Sequence, residues 1–203
     1  MAKWHGFGRC KTRLSKDIGK INSAKIQSVM TRHTITVAKS LQKTKLIDIS
    51  IAISGLGKKN CMRWSNELGI KTFNLQGRGC LGERMKRQII INKKFCNQQK
   101  IKNIIFIGTD LPDLCHLDLL KTIKYLEQND LILRPSNDGG YWLLGLSENI
   151  LSKHIHLPFI DISWSKENVL KNTIDNFACT KLKYKFLDKK TDLDTIIDIE
   201  NRK

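Results

Sequence analysis

Short, uniformly apolar runs alternate along this chain with longer segments whose apolar residues recur at helical spacing, and that alternation restricts the fold more than any other feature. A chain patterned in this way builds an α/β layered sheet, because each helical stripe needs a sheet face against which to bury. Strand-length runs fall at residues 47–54 (IDISIAIS), 71–75, 103–107 (NIIFI), 131–134 and 141–146, and a late strand at 181–187 carries lysines alternating outward. Helical spacing marks the end of a short helix at 63–68, then 81–96 (LGERMKRQIIINKKFC), 116–127 and 165–177; His33 lies in a further helix. NIIFI is too uniformly apolar to be half exposed and reads as a central parallel strand buried on both faces. Residues 1–203 are expected to form a single domain, a length sufficient for one sizeable core.

Charge bears on partners rather than on fold. The formal net charge is +17, from 36 Lys and Arg against 19 Asp and Glu, which raises nucleic acid, anionic membrane or phosphorylated ligands. Lysines outnumber arginines and are scattered through the whole chain, so they read as solvated surface rather than a nucleic-acid footprint. The six cysteines form no C-x-x-C pair and meet no histidine at zinc-finger spacing, as in a cytoplasmic protein with reduced thiols. No apolar run is long enough to span a bilayer.

Five constellations carry possible chemistry. In Gly6-Phe7-Gly8-Arg9-Cys10-Lys11-Thr12-Arg13 two glycines permit a tight turn and three cations could meet phosphate oxygens; Cys10 stands where a P-loop needs glycine. Gly108-Thr109-Asp110-Leu111-Pro112-Asp113 follows NIIFI directly, which puts Asp110 where ligands bind in open α/β sheets and where a carboxylate can hold Mg²⁺ or Mn²⁺. Asp113 reads as the cap of the next helix. The stretch from Gln76 to Met85 (QGRGCLGERM) is either a plain strand-to-helix connection or a loop lying against a nucleobase or sugar, with Gln76 and Arg84 as arms. In Ser136-Asn137-Asp138-Gly139-Gly140-Tyr141 the Asp-Gly-Gly sequence is a hairpin turn signal and also permits close backbone approach to a ligand. Asp192-Leu193-Asp194-Thr195 either caps a helix or returns a carboxylate to the metal. No Ser-His-Asp or Cys-His arrangement is supported by spacing.

Taken in order, G-x-G-R-x-K-T-R-L (Gly6 to Leu14), Q-G-x-G-x-L-G-x-R-M (Gln76 to Met85), G-T-D-x-P (Gly108 to Pro112), D-G-G-Y-x-L-x-G (Asp138 to Gly145) and D-x-D-T (Asp192 to Thr195) resemble the small bacterial nucleotide-diphospho-sugar-transferase-like proteins, commonly described as glycosyltransferases associated with arsenosugar biosynthesis. The resemblance spans nearly the whole chain. It implies a glycosyltransferase A-type fold: a three-layer sandwich with a mostly parallel central sheet. It also implies roles: Gly6, Gly8, Arg9, Lys11 and Arg13 on the pyrophosphate, Gln76, Gly82 and Arg84 on the nucleoside, and Asp110 on Mg²⁺ or Mn²⁺. Asp138 would orient or deprotonate an acceptor hydroxyl, with Gly139 and Gly140 lining the sugar site. Cys80 departs from an acidic residue usual in the second motif, and Lys166 follows Trp164-Ser165 where the family has Trp-x-Thr.

The family also carries a hydrophobic strand before the glycine loop, and here only Met1 to Trp4 precede it, so the first strand is expected to be missing or truncated. Losing a central strand forfeits several side chains worth about 1.5–3 kcal/mol each against a total stability of roughly 5–15 kcal/mol. An internal methionine taken as the start, or a decayed relative, would each explain this. The implied activity is metal-dependent glycosyl transfer from a nucleotide-diphospho-sugar to a small acceptor. The alternatives are nucleotidyl transfer from an NTP to a phosphorylated small molecule, and a basic nucleic-acid-binding protein, which the lack of a basic cluster disfavours.

Overall fold

The computed structural model describes residues 1–95, 101–164 and 166–201. In chain order its elements are β1 (Ala2–Lys3), α1 (Leu14–Gln42), β2 (Ser50–Ser54), α2 (Lys58–Glu67), β3 (Thr72–Leu75), α3 (Leu81–Phe95), β4 (Asn103–Ile107), α4 (His116–Leu126), β5 (Leu131–Pro135), β6 (Tyr141–Ser147), α5 (Glu148–Lys153), a 3₁₀ turn (Leu157–Phe159), α6 (Val169–Ala178), β7 (Tyr184–Phe186) and α7 (Ile196–Glu200). Cys96 and Ser165, the outer ends of two expected helices, lie outside the described residues. The chain divides into two compact units, one of Met1–Leu75, Gly108–His116 and Thr191–Lys203, the other of Gln76–Ile107 and Leu117–Lys190.

The first unit is built on a parallel sheet in the order β1-β2-β3, with Ala2 opposite Ile53 and Ser50 opposite Thr72. The strand ahead of the glycine loop is thus present, shortened to two residues. Ala2, Ile51, Ile53, Ile35 of α1 and Cys61, Trp64 and Leu68 from α2 and its end form one buried cluster, to which Ile70 also belongs. Helix α1 runs 29 residues and is broken at Gly19, whose φ of 82° leaves helical space. The sequence reading did not delimit it. Its inward face carries Ser23, Gln27, Thr31 and Thr34 among the apolar residues, so hydrophobic periodicity is blurred. Those polar groups have partners: Thr31 and Thr34 donate to the carbonyls four residues back at 2.9 and 3.1 Å, and Gln27 donates to the Thr109 hydroxyl at 3.3 Å.

The first unit also holds a half-buried imidazole. His5 stacks on Trp4 with ring centroids 4.1 Å apart and meets Trp64 at 5.6 Å, and its Nδ1 is buried with no hydrogen-bond partner among the described residues. Burial first, then the charge of Arg32, hold its pKa below the ordinary value against an opposing pull from Glu67. The folded state therefore prefers the neutral ring, whereas the unfolded chain protonates near pH 6.5. His5 withdraws no stability above pH 6.5 and withdraws it progressively as pH falls from there toward the folded pKa. Urea midpoints should drop between pH 7 and pH 5 more steeply in the wild type than in His5→Phe; equal slopes would refute the assignment.

The second unit is built on a sheet in the order β4-β6-β5-β7. Here β6 pairs antiparallel with both β4 and β5, and β5 pairs parallel with β7. Leu131, Ile132, Leu133, Leu143, Leu144 and Leu146 are all within 1% of full burial, so β5 and β6 form the core. NIIFI departs from expectation: β4 is half-buried and lies antiparallel to β6, which takes the central place instead. A uniform apolar run fixes neither how deeply a strand is buried nor its direction. Gly145 lets α4 approach β6, since a side chain there would meet Leu126 and Thr122 at about 3.2–3.3 Å. Among the described residues no helix is long and apolar enough to cross a membrane.

Candidate functional site

In the first unit the chain turns tightly after β1, with the Arg9 amide donating to the Gly6 carbonyl at 2.9 Å and Gly8 at φ 71°. Lys11 follows with φ 43°, an uncommon conformation for a residue with a side chain. The turn sends its side chain inward, where only 3% of it remains exposed. There the Lys11 ammonium pairs with Asp110 Oδ1 at 3.0 Å and donates to the Leu193 carbonyl. The Leu193 amide donates in turn to the Asp110 carbonyl at 2.9 Å. Lys11, Asp110 and the segment around Leu193 are thereby locked together from three distant parts of the sequence. The resemblance assigns Lys11 to a phosphate; here its ammonium faces the Asp110 carboxylate.

The outer residues of the same loop are differently placed. Phe7, Gly8, Arg9, Thr12 and Arg13 are exposed, and Arg13 pairs with Asp194 at 3.0 Å across a solvated contact. Asp198 accepts from the backbone and hydroxyl of Thr195, closing a capping box at the start of α7. Thus Asp194 and Thr195 serve an ion pair and a helix cap. Asp113 lies ahead of α4, which begins only at His116, and so does not occupy its N-cap.

The expected Mg²⁺ or Mn²⁺ can be tested against this geometry. No group of three or more His, Cys, Asp or Glu gathers around a single point among the described residues. Asp110 alone is a half-exposed carboxylate, 45% accessible, with Oδ1 turned to Lys11 and buried without a hydrogen bond in line. One such carboxylate suits an ion that takes its remaining ligands from substrate phosphates and water. The residues present fit the group on those terms.

In the second unit, the connection from Gln76 to α3 is held by side chains reaching back from the helix. Arg84 Nε donates to the Gly79 carbonyl at 2.8 Å, and Glu83 accepts from the Cys80 amide at 2.8 Å. Gln76 is buried. Gly82 lies under the indole of Trp164, where an added Cβ would come within 2.5 Å of the ring. The motif glycine at 82 is therefore explained by packing against an aromatic residue.

The Asp138 turn has a similar explanation. The Ser136 amide donates to the Gly140 carbonyl at 3.1 Å, and Asp138 Oδ1 accepts from the Ser136 hydroxyl at 2.5 Å and the Gly140 amide at 3.0 Å. Gly139 has φ 82°, its carbonyl accepts from the Leu170 amide at 3.0 Å, and a side chain there would collide with the backbone of Glu167. Its want of a side chain admits the 167–170 segment. Asp138 itself is exposed at the turn between β5 and β6. The hairpin reading of this stretch and an outward carboxylate thus coexist.

Sequence reasoning passed over a second buried ion cluster. Arg134, fully buried in β5, donates to Asp118 Oδ1 at 3.1 Å, to the Asp118 carbonyl at 2.8 Å and to Thr122 at 3.3 Å; Lys190 pairs with the other Asp118 oxygen. Arg134 and Lys190 both face the ring of Trp142, at 5.2 and 5.8 Å from its centroid. A lone arginine inside the apolar run LILRP was the available signal, since such a charge is buried only with partners. Cys10 and Cys61 are buried free thiols whose pKa burial raises; Cys96 lies outside the described residues.

Residues 36–166 match a family described as "Uncharacterized protein conserved in bacteria (DUF2064)". The chain belongs to that family. None of the curated proteins matches it. Among solved structures it is similar to a protein of Desulfovibrio desulfuricans G20 named "putative nucleotide-diphospho-sugar transferase", with 25% identity and a TM-score of 0.80 over 98% of this chain and 81% of the other. It is also similar in fold to 4-diphosphocytidyl-2C-methyl-D-erythritol synthase of Anaerococcus prevotii DSM 20548, with 11% identity and a TM-score of 0.58 over 98% and 93% of the respective chains. The expected α/β class and nucleotide-diphospho-sugar-transferase fold therefore stand, as does the resemblance drawn from the five motifs.

Proposed function

We propose that the chain is a transferase acting on a nucleotide-diphospho-sugar, moving the glycosyl group to the hydroxyl of a small acceptor with Mg²⁺ or Mn²⁺ held at Asp110. The observation that carries this reading is the half-exposed Asp110 carboxylate, anchored on its inner side by Lys11. The likeness to the Desulfovibrio protein supports it. A bound divalent ion would supply positive charge to the diphosphate leaving group.

The chain's own residues do the rest. Lys11 fixes the Asp110 carboxylate in one orientation, so no reorganisation is needed when substrate arrives. Exposed Arg9 and the glycine turn offer charge and backbone donors to phosphate oxygens. Gln76 and the loop to Gly82 take the nucleoside. Asp138, steadied at one oxygen by Ser136 and Gly140, accepts the proton that the acceptor hydroxyl loses as it attacks the anomeric carbon. The bond from that carbon to the diphosphate breaks, and a nucleoside diphosphate leaves.

A thermal-shift panel of UDP-, GDP-, ADP-, CDP- and dTDP-sugars, with and without Mn²⁺, tests the reading. A donor present at 100 times its dissociation constant adds about 2.7 kcal/mol, which in a protein of this size raises Tm by roughly 5–10 °C. One donor class should do so and need Mn²⁺. The absence of any shift across the panel would overturn the proposal. Product analysis then separates glycosyl transfer, which releases a nucleoside diphosphate, from nucleotidyl transfer, which releases pyrophosphate.

A further inference from the structure

Arg87 stands on α3 one turn beyond Arg84 and lies outside every motif the sequence displays. Helical side chains lean toward the N-terminus of their helix, and this one reaches back over the loop that precedes it. Its guanidinium donates from Nη1 to the Gln76 carbonyl at 2.5 Å and from Nη2 to the Arg78 carbonyl at 3.0 Å. Between those carbonyls lies Gly77, at φ 77°, where a Cβ would fall 2.6 Å from Nη1 and 2.9 Å from Cζ. The guanidinium therefore rests against the Gly77 backbone, in a space only glycine leaves open.

Arg87 completes a set. Together Glu83, Arg84 and Arg87 bind the carbonyls of Gln76, Arg78 and Gly79 and the amide of Cys80. A trans peptide is planar, with its C=O and the following N–H pointing opposite ways. Turning the Gln76 and Arg78 carbonyls onto Arg87 thus turns the Gly77 and Gly79 amides away from it. We infer that Arg87 is a positioning residue for nucleoside recognition, holding residues 76–80 so that the Gly77 and Gly79 amides meet acceptor atoms of a nucleobase. This rests on the reading of that loop as the nucleoside-binding element. A fork gripping two carbonyls at once is what a guanidinium provides and an ammonium does not.

Isothermal titration of the full chain with CDP, UDP, GDP and ADP in Mg²⁺, and separately with inorganic pyrophosphate, tests the inference in wild type, Arg87→Met, Arg87→Lys and Gly77→Ala. The expected result is that Arg87→Met weakens nucleoside diphosphate binding about tenfold or more, Arg87→Lys restores part of it, and pyrophosphate affinity holds in both. Wild-type nucleotide affinity in Arg87→Met would overturn the role of Arg87 alone. Equal loss of nucleotide and pyrophosphate binding would also overturn it, by revealing a general structural effect. Should Arg87→Met not fold, Gly77→Ala decides, because its methyl group displaces the guanidinium; unchanged nucleotide affinity there overturns the role. A wild-type chain that binds none of the four nucleotides, nor dTDP, overturns the functional reading and this inference with it.

Discussion

Arg134→Met is expected to lower the unfolding free energy by about 3–5 kcal/mol, the usual penalty when one partner of a buried ion pair is removed. Methionine can fill much of the space along β5, so the loss is electrostatic rather than volumetric. It takes from Asp118, whose side chain is 6% exposed, the guanidinium at its Oδ1, and removes the guanidinium donor to the Asp118 carbonyl. Against a total of roughly 5–15 kcal/mol this is a large fraction. It corresponds to a fall in Tm of about 6–20 °C for a protein of this size. Urea denaturation should move the midpoint and keep the slope. Lys171→Ala, which breaks the exposed pair between Lys171 and Asp175 on α6, is the control, expected to cost only about 0.3–0.5 kcal/mol. A loss below about 1 kcal/mol for Arg134→Met would show that the cluster is not the anchor its burial suggests.

Asp110→Asn is expected to reduce transfer at least about a hundredfold, the scale seen when one preorganised electrostatic group is lost from a site. Asparagine keeps the shape and removes the charge that would attract a divalent ion. It also strips the buried Lys11 ammonium of its counter-charge, leaving the Leu193 carbonyl, so stability should fall by about 1–3 kcal/mol. The two effects can be separated. The double variant Lys11→Met with Asp110→Asn removes the stranded ammonium and should recover stability while remaining inactive. Nucleoside diphosphate release and Tm, measured on the wild type and both variants, report on each independently. Full activity in Asp110→Asn would take this carboxylate out of the chemistry.

These two sites were unequally legible. Asp110 was found because G-T-D-x-P directly follows an apolar strand, and the order of the five motifs carried the family. Most strands and helices were placed within a few residues, since β2, β5 and β6 are mostly apolar and α3 and α4 keep helical spacing. The main exception is α1, which buries serine, glutamine and threonine among its apolar residues and so breaks the apolar stripe that pattern reading depends on.

What the sequence determined by itself was class, the order of most strands and helices and the identity of the motif residues, because apolar patterning and backbone freedom are encoded locally in residue type and spacing. What only the tertiary structure decided was pairing. The direction of β4, the Lys11 ammonium turned onto Asp110 and Leu193, the Glu167 backbone against Gly139, and Arg134 with Asp118 and Lys190 all join residues remote in the chain. Such contacts form only where the packed chain brings opposite charges or close backbones to within a few ångströms. A charge has no directional mark in sequence, and its partner is set by where the sheet and helices place it.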